Sequence, residues 1–321
     1  METDRRTALK WLLTTGAIAG GSTGVAEEAW KPSRPIRLVV PFPPGGGADI
    51  LGRLTAPGVS ARLGQPVVVE NKGGASGTIG AEHVYRASAD GSVLLLATVD
   101  TQAVNPQIAK VPFDASKFVP LGGIAQAPYV LVGKSGLPAT TFAELLDLMK
   151  TRQLTYASAG FGSVTHVLGA SFGRESRNEL IHVAYQGSGP ATQAILGGDV
   201  DLGWMTLQGA LQYRNRVHLY ATPSEERFDL LKDVPTMKER GLPVVGASWL
   251  GWVAPPDTPE PVAAALSRAV RDTVSSPEIL QRLREMGMVP IQMSQQAFVQ
   301  FYRDEYEKWG KIVRAAKIGV N

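Results

Sequence analysis

From residue 36 onward, short apolar runs alternate with longer amphipathic stretches. The runs IRLVV (36–40), PVVVEN (66–71), VLLLAT (93–98), YVLVG (129–133), LTYAS (154–158), LIHVAY (180–185), VDLGW (200–204) and HLYAT (218–222) are rich in aliphatic and β-branched residues. Gly, Pro, Asn and Asp bound them, so they predict buried strands. Helical stretches separate them, the alternation of βαβ units, and the predicted class is α/β with mainly parallel sheets flanked by helices. Gly-rich loops fall in two series, at 43–47 and 73–77 and then at 160–163 and 187–189, which implies two sheets and two lobes. Ligands of open α/β sheets sit at the carboxyl ends of the strands, so these loops are expected to face one cleft. The segment SWLGWVAPPDTPEPV (248–262) reads as a crossing back to the first lobe, before a helical region from Pro259 to Ala316 that is expected to cover that lobe. The expected division is 32–130 plus 251–321 for lobe 1 and 131–250 for lobe 2.

The first 26 residues read as an export signal. Arg5 and Arg6 open a basic region, WLLTTGAIAG (11–20) is an apolar core of signal length, and STGVA (22–26) ends in small residues suited to cleavage after Ala26. The paired arginines resemble a twin-arginine signal, while Ala8, where a bulkier apolar residue is usual, leaves the Sec route open. No later run reaches the eighteen or so apolar residues of a membrane span.

Composition removes several functions. The chain has 321 residues, 44% of them hydrophobic and 19% charged, and a formal net charge of +3 whose signs are interspersed, without the basic stripe of a nucleic-acid reader. Cysteine is absent, which excludes disulfides and thiol catalysis. The histidines His83, His166, His182 and His218 form no H-x-x-x-H pair, so neither a metal nor another cofactor is expected.

PFPPGGGADI (41–50) follows the first strand directly. Glycines between strand and helix let backbone amides approach a ligand while the helix directs its unpaired N–H groups and dipole to the same place, an anion cradle. No Gly-Lys-Ser/Thr follows and the spacing is not G-x-G-x-x-G, so the phosphate and dinucleotide motifs do not fit. A plain turn is the other reading of this segment.

Several segments together carry a resemblance: IRLVVPFPPGGGADILGR, LGQPVVVENKGGASGTIGAEHV, VNPQIAKVPFDASKFVPLGGI, YASAGFGSVTHV, VAYQGSGPATQAILGGDVDLGW, DVPTMKERGLP and EYEKWGKIVRAAKIG. In order and spacing the chain resembles the substrate-binding receptors of tripartite tricarboxylate transporters, the TctC or Bug family. The resemblance implies a periplasmic receptor of the two-lobed Venus-flytrap kind, expected to be monomeric, that binds a small carboxylate and delivers it to membrane permease subunits. By position it implies ligand contacts from Gly46, Gly47, Ala48, Asp49, Gly74, Ala75 and Ser76 in lobe 1, with Phe42 as a wall. In lobe 2 it implies Ser158, Gly160, Gly162, Ser163, His166, Tyr185, Gly187, Ser188, Asp201 and Thr206.

Other roles stand beside several of these. Asp49 suits a first-turn carboxylate on a helix dipole, Ser163 an N-cap, His166 a satisfied helix-face histidine, Tyr185 a core residue and Asp201 a loop cap. Trp204 stands where the family commonly has Phe; it reads either as an aromatic pocket wall, which favours an aromatic acid, or as core, and Trp249 and Trp252 share that ambiguity. A sensor would dock its closed form to a signalling partner; a serine hydrolase is disfavoured, because GFGSV lacks the G-x-S-x-G elbow.

Overall fold

The computed structural model describes residues 30–318. The expected export signal, residues 1–26, lies outside the described residues. Each predicted run forms a strand, and two sheets result. In chain order the first carries β1 (Ile36–Val40), β2 (Val67–Asn71), β3 (Val93–Thr98) and β4 (Val119–Ala127); the second carries β5 (Tyr129–Lys134), β6 (Leu154–Ser158), β7 (Leu180–Ala184), β8 (Leu202–Thr206) and β9 (Val217–Ala221). The chain then returns to the first sheet with β10 (Ser248–Ala254) and the short β11 (Val289–Pro290). The strand orders are β11-β4-β10-β3-β1-β2 and β7-β6-β8-β5-β9.

Both sheets are mixed where mainly parallel ones were expected. β1 pairs in parallel with β2 and β3, and β6 with β7 and β8, but β10 runs antiparallel between β3 and β4, and β5 antiparallel between β8 and β9. The antiparallel strands are those at the lobe crossings. The chain leaves the first sheet at Ala127 and enters the second at Tyr129, with Pro128 alone between them, so it turns back without a crossover helix. SWLGWVA, expected as a connection, is thus a central strand, and every one of its residues is buried.

The helices are α1 (Gly47–Leu63), α2 (Thr78–Tyr85), α3 (Asn105–Ile108), α4 (Phe142–Thr151), α5 (Val164–Glu175), α6 (Ser188–Gly197), α7 (Leu207–Gln212), α8 (Glu260–Val274), α9 (Pro277–Glu285) and α10 (Gln295–Ala316). Among the described residues no helix is long and apolar enough to cross a membrane. Their starts follow local chemistry. Thr141 and Glu144 form a reciprocal capping box on α4, and Ser294 accepts from Ala297 N–H on α10.

The core has three parts. One lies between β1, β3, β10 and the helices α1 and α8, another between β5, β8 and the helices α6 and α7. The third is continuous across both sheets, joining Leu95 and Val253 of the first to Leu154 and Trp204 of the second through Trp249, Leu168 and Trp309. α10 packs on β4 and also on α5 of the second lobe. The C-terminal tail therefore straps both lobes, where cover of the first alone was expected, because its apolar stripe is long enough to reach α5.

Candidate functional site

The carboxyl ends of β1, β6 and β7 deliver the chain to the starts of α1, α5 and α6. At α1 no side chain caps the helix, so the amides of Gly47 and Ala48 have no partner within it. Asp49 explains the shape of the loop. Its carboxylate is 4% exposed and accepts from Gly45 N–H at 2.9 Å, from Arg53 Nε at 3.0 Å and from Asn71 Nδ2 at 3.0 Å. Asn71 also donates to the Phe42 carbonyl at 3.1 Å, which ties β2 to the loop. The Arg53 hydrogen bonds hold the Asp49 carboxyl down at about 2 against the opposing effect of burial. Its stabilisation is therefore complete above the unfolded value near 4 and is lost as pH falls through about 2. Arg53 is 55% exposed, which discounts the effect to about 1 kcal/mol. Asp49→Asn is expected to lower unfolding free energy by about that amount at pH 7 and by almost nothing at pH 2, read by urea titration at both pH values.

The second loop of this lobe is strained. Gly74, Ala75, Ser76 and Gly77 all have positive φ, at 125°, 46°, 52° and 90°. Ala75 and Ser76 each carry a side chain in a region L-residues avoid, and such strain persists only where surroundings impose it. Asn105 Nδ2 donates to the Ser76 carbonyl at 2.8 Å, and Ser76 Oγ donates across the cleft to the Phe161 carbonyl at 3.0 Å. The lobes are thus in contact at this turn.

In the second lobe, Ser163 caps α5: its Oγ accepts from His166 N–H at 3.2 Å and donates to the Gly160 carbonyl at 2.7 Å. Thr165 Oγ1 accepts from Ala159 N–H at 2.9 Å, and Gly162 N–H donates to His166 Nδ1 at 3.2 Å. That last bond makes Nδ1 the acceptor and leaves the proton of the neutral ring on Nε2. Burial, and then the neighbouring His182, push the His166 value down to about 4, so the ring is a neutral donor at pH 7. His166 stacks on His182 with centroids 3.9 Å apart, and His182 stacks on Tyr156 at 5.0 Å. His182 Nε2 lies 2.6 Å from Ser158 Oγ. A serine beside a histidine invites a nucleophile reading, yet Ser158 is 1% exposed and accepts from Gly160 N–H at 3.1 Å, so its hydroxyl shapes the loop.

The start of α6 has no side-chain cap: Gly187 precedes it with Ser188 exposed at its first position, and Tyr185 is half-buried beside the second-lobe core. Thr206 ends β8 opposite Tyr129 and caps α7 by accepting from Gly209 N–H at 3.3 Å. Asp201 is a correction. It precedes β8, at the strand's amino end, about 16 Å along the chain from Thr206 at 3.3 Å per residue, and so at the end of the sheet opposite the carboxyl ends of the parallel strands β6 and β8. There it meets Lys134 and Arg152 at 3.0 Å each and accepts from Thr155 N–H at 3.0 Å; burial raises its pKa, but these partners outweigh it and hold it below the usual range. Trp204, Trp249 and Trp252 are at most 5% exposed, so the core reading holds for all three.

The starts of α1 and α6 carry no side-chain cap, and the strained turn meets the loop 160–163 through Ser76 and Phe161, a set of backbone donors suited to carboxylates. The family model described as "Tripartite tricarboxylate transporter family receptor", TctC, matches residues 51–318. The chain belongs to the TctC receptor family. This TctC receptor is similar to the periplasmic binding protein BugD, at 30% identity, TM-score 0.80, covering 90% of this chain and 99% of that one. It is also similar to MatC from Rhodopseudomonas palustris with bound malate, at 31% identity, TM-score 0.80, covering 88% and 99%. A second R. palustris protein, solved with adipate, matches at 30% identity, TM-score 0.82, covering 90% and 99%. The two-lobed periplasmic-binding-protein fold is thereby shown, and the family is one of periplasmic solute receptors.

Within the receptor, Phe42 lies against Gly77, Ser76 bonds Phe161, Gly160 lies beside Tyr185 and Ser76, and Gly162 lies beside Asn105, so the turn 74–77 and the loop 160–163 meet, whereas Asp201 lies at the far end of β8. The structure also brings in residues that the sequence did not single out. Asp100, Asn105, Tyr129 and His182 reach the same place from segments with no Gly-rich signature. Two surface hollows of about 450 and 270 Å3 run along α10, lined by residues such as Asp304, Lys311 and Arg303. They lack converging backbone donors and are not the site.

Proposed function

We propose that this receptor captures a small carboxylate, a di- or tricarboxylate or an aromatic acid, between its lobes and presents it to the permease of a tripartite tricarboxylate-type transporter. The observation that carries this reading is the pair of uncapped helix starts, α1 in one lobe and α6 in the other, which offer backbone N–H groups to an anion without a fixed cation. That malate and adipate occupy two relatives of the same fold supports it. In this reading Gly46, Gly47, Ala48 and Ser188 donate backbone amides, Gly187, whose own N–H donates to the Ala159 carbonyl at 3.1 Å, shapes the turn before α6, His166 Nε2 donates a neutral N–H, and Phe42, Tyr185 and Thr206 wall the cleft. Gly74, Ala75 and Ser76 bring the first lobe onto the second. Asp49, Ser158, Gly160, Gly162 and Ser163 shape the loops. The lobes, 32–130 plus 251–321 and 131–250, close on the ligand by differential contact with the closed form. The chain acts as a monomer, leaves its ligand chemically unchanged, and reaches the periplasm through the export signal at its start, by the twin-arginine route or by Sec.

A thermal-shift panel tests this on residues 27–321. At a hundredfold excess over Kd a ligand adds about 2.7 kcal/mol of stability, so the matching carboxylate is expected to raise Tm by roughly 5–10 °C. A panel of mono-, di- and tricarboxylates, aromatic acids and amino acids that all leave Tm unmoved overturns the proposal.

A further inference from the structure

Asp100 stands apart from the other charged groups of the described residues. It opens the turn Asp100–Val104 just after β3, in the first lobe, and its Oδ1 accepts a 2.7 Å hydrogen bond from Val164 N–H, the first amide of α5 in the second. The turn that carries it is fixed from behind. Gln102 Oε1 accepts from the Tyr302 hydroxyl of α10 at 2.6 Å, and Thr101 packs so closely beneath Gly77 that a Cβ there would lie 2.5 Å from its methyl. Burial, and then the charge of Asp100, push the hydroxyl of Tyr129, which follows the lobe crossing at Pro128, above its ordinary range. Asp100 is therefore placed between the Gly74–Gly77 turn, the start of α5 and the lobe crossing.

Its second oxygen is unused. Among the described residues Oδ2 accepts no hydrogen bond, it is not sealed from solvent, and no lysine or arginine forms an ion pair with the carboxylate. Burial pushes the carboxyl up to about 6, which leaves it ionised at neutral pH and short of a counter-charge.

Two consequences follow for a ligand in this cleft. The first amide of α5 is already taken by an internal carboxylate, so a bound acid has the starts of α1 and α6 for its own. A second negative charge nearby disfavours a ligand that is anionic throughout, whereas an ammonium group supplies the missing partner. Resting on the carboxylate reading above, we propose that Asp100 determines specificity, selecting carboxylates that carry a cationic amine, amino acids above all, over acids of the same shape without one.

Isothermal titration of the mature protein with succinate against aspartate, and glutarate against glutamate, isolates the ammonium. The amine-bearing member is expected to bind at least tenfold more tightly. In Asp100→Asn, whose side-chain oxygen still accepts from Val164 N–H, that preference is expected to shrink to within threefold while Tm and the scattering profile of the apo protein are kept. Equal weakening of both members of a pair in Asp100→Asn assigns Asp100 a merely structural role and overturns the proposal. Wild-type binding confined to acids without an amine, in these pairs or in the wider panel, also overturns it and leaves the carboxylate reading standing. Binding by no carboxylate, with or without an amine, overturns the carboxylate reading and this one with it.

Discussion

Trp309→Ala is expected to cost about 3–5 kcal/mol of stability, a fall in Tm on the order of 10 °C. Trp309 sits on α10 with no exposed surface and occupies the seam between the lobes. Its ring lies so close to Gly246 that a Cβ there would be 2.8 Å from Cη2, with the Leu168 methyl of α5 beside it at 3.2 Å. The core that continues through both sheets depends on this contact, and neighbouring backbone cannot collapse into the void an alanine leaves. A second effect adds to the cavity. The indole Nε1 donates to Glu305 Oε2 at 2.9 Å, and Glu305 is 7% exposed, so truncation removes one of the partners of a buried carboxylate, the other being Lys308 at 3.0 Å. Trp309→Phe separates the two effects: it keeps most of the packing, loses the hydrogen bond, and is expected to cost about 1–2 kcal/mol. Urea titrations of both variants check this; a loss below about 1 kcal/mol in Trp309→Ala would show that α10 does not hold the lobes together.

The largest effect on binding is expected from Gly162→Val: carboxylate affinity about a hundredfold weaker, or about 2.7 kcal/mol, with the protein still folded. Gly162 has φ +78°, and a Cβ there would stand 2.8 Å from Asn105 Oδ1 in the first lobe. Asn105 is not free to withdraw, because its Nδ2 holds the strained turn through the Ser76 carbonyl. A β-branched side chain at positive φ strains the loop in any state, whereas the collision with Asn105 exists only when the lobes meet. The closed form is penalised beyond the open one, and affinity falls by that difference. Calorimetry and solution scattering with the carboxylate identified by the thermal panel check it: the variant stays extended at ligand concentrations that compact the wild type. Asn105→Ala in the same chain is expected to restore part of the affinity. Wild-type affinity in Gly162→Val would show that the loop 160–163 does not close on the first lobe.

Local pattern was enough for the eight apolar runs, the α/β class, two lobes and the Gly-rich loops of the cleft, because strand periodicity, turn residues and helix starts are encoded within a few residues of one another. The order of the motifs was also enough to indicate the family. It was not enough for β10, whose tryptophans and Gly251 read as a crossing, nor for β4, whose paired glycines Gly122 and Gly123 broke an apolar run. Both are strands because partners far along the chain complete their ladders, and their antiparallel pairing is what makes the first sheet mixed. The same distance separates the site as read from the site as built. Asp201 was assigned to the cleft by its motif, but which end of β8 faces the ligand is a property of the sheet. Asp49 and Ser163 had two readings each, and the partners now visible, Arg53 with Asn71 for one and the His166 amide for the other, give each a structural part. Asp100 carried no local sign at all, since the amide that marks it belongs to Val164 in the other lobe. By itself the sequence determined which segments form elements and where backbone donors cluster. Only the tertiary structure decided which side chains meet across the cleft, because hydrogen bonds and buried charge depend on separations that folding alone brings within 3 Å.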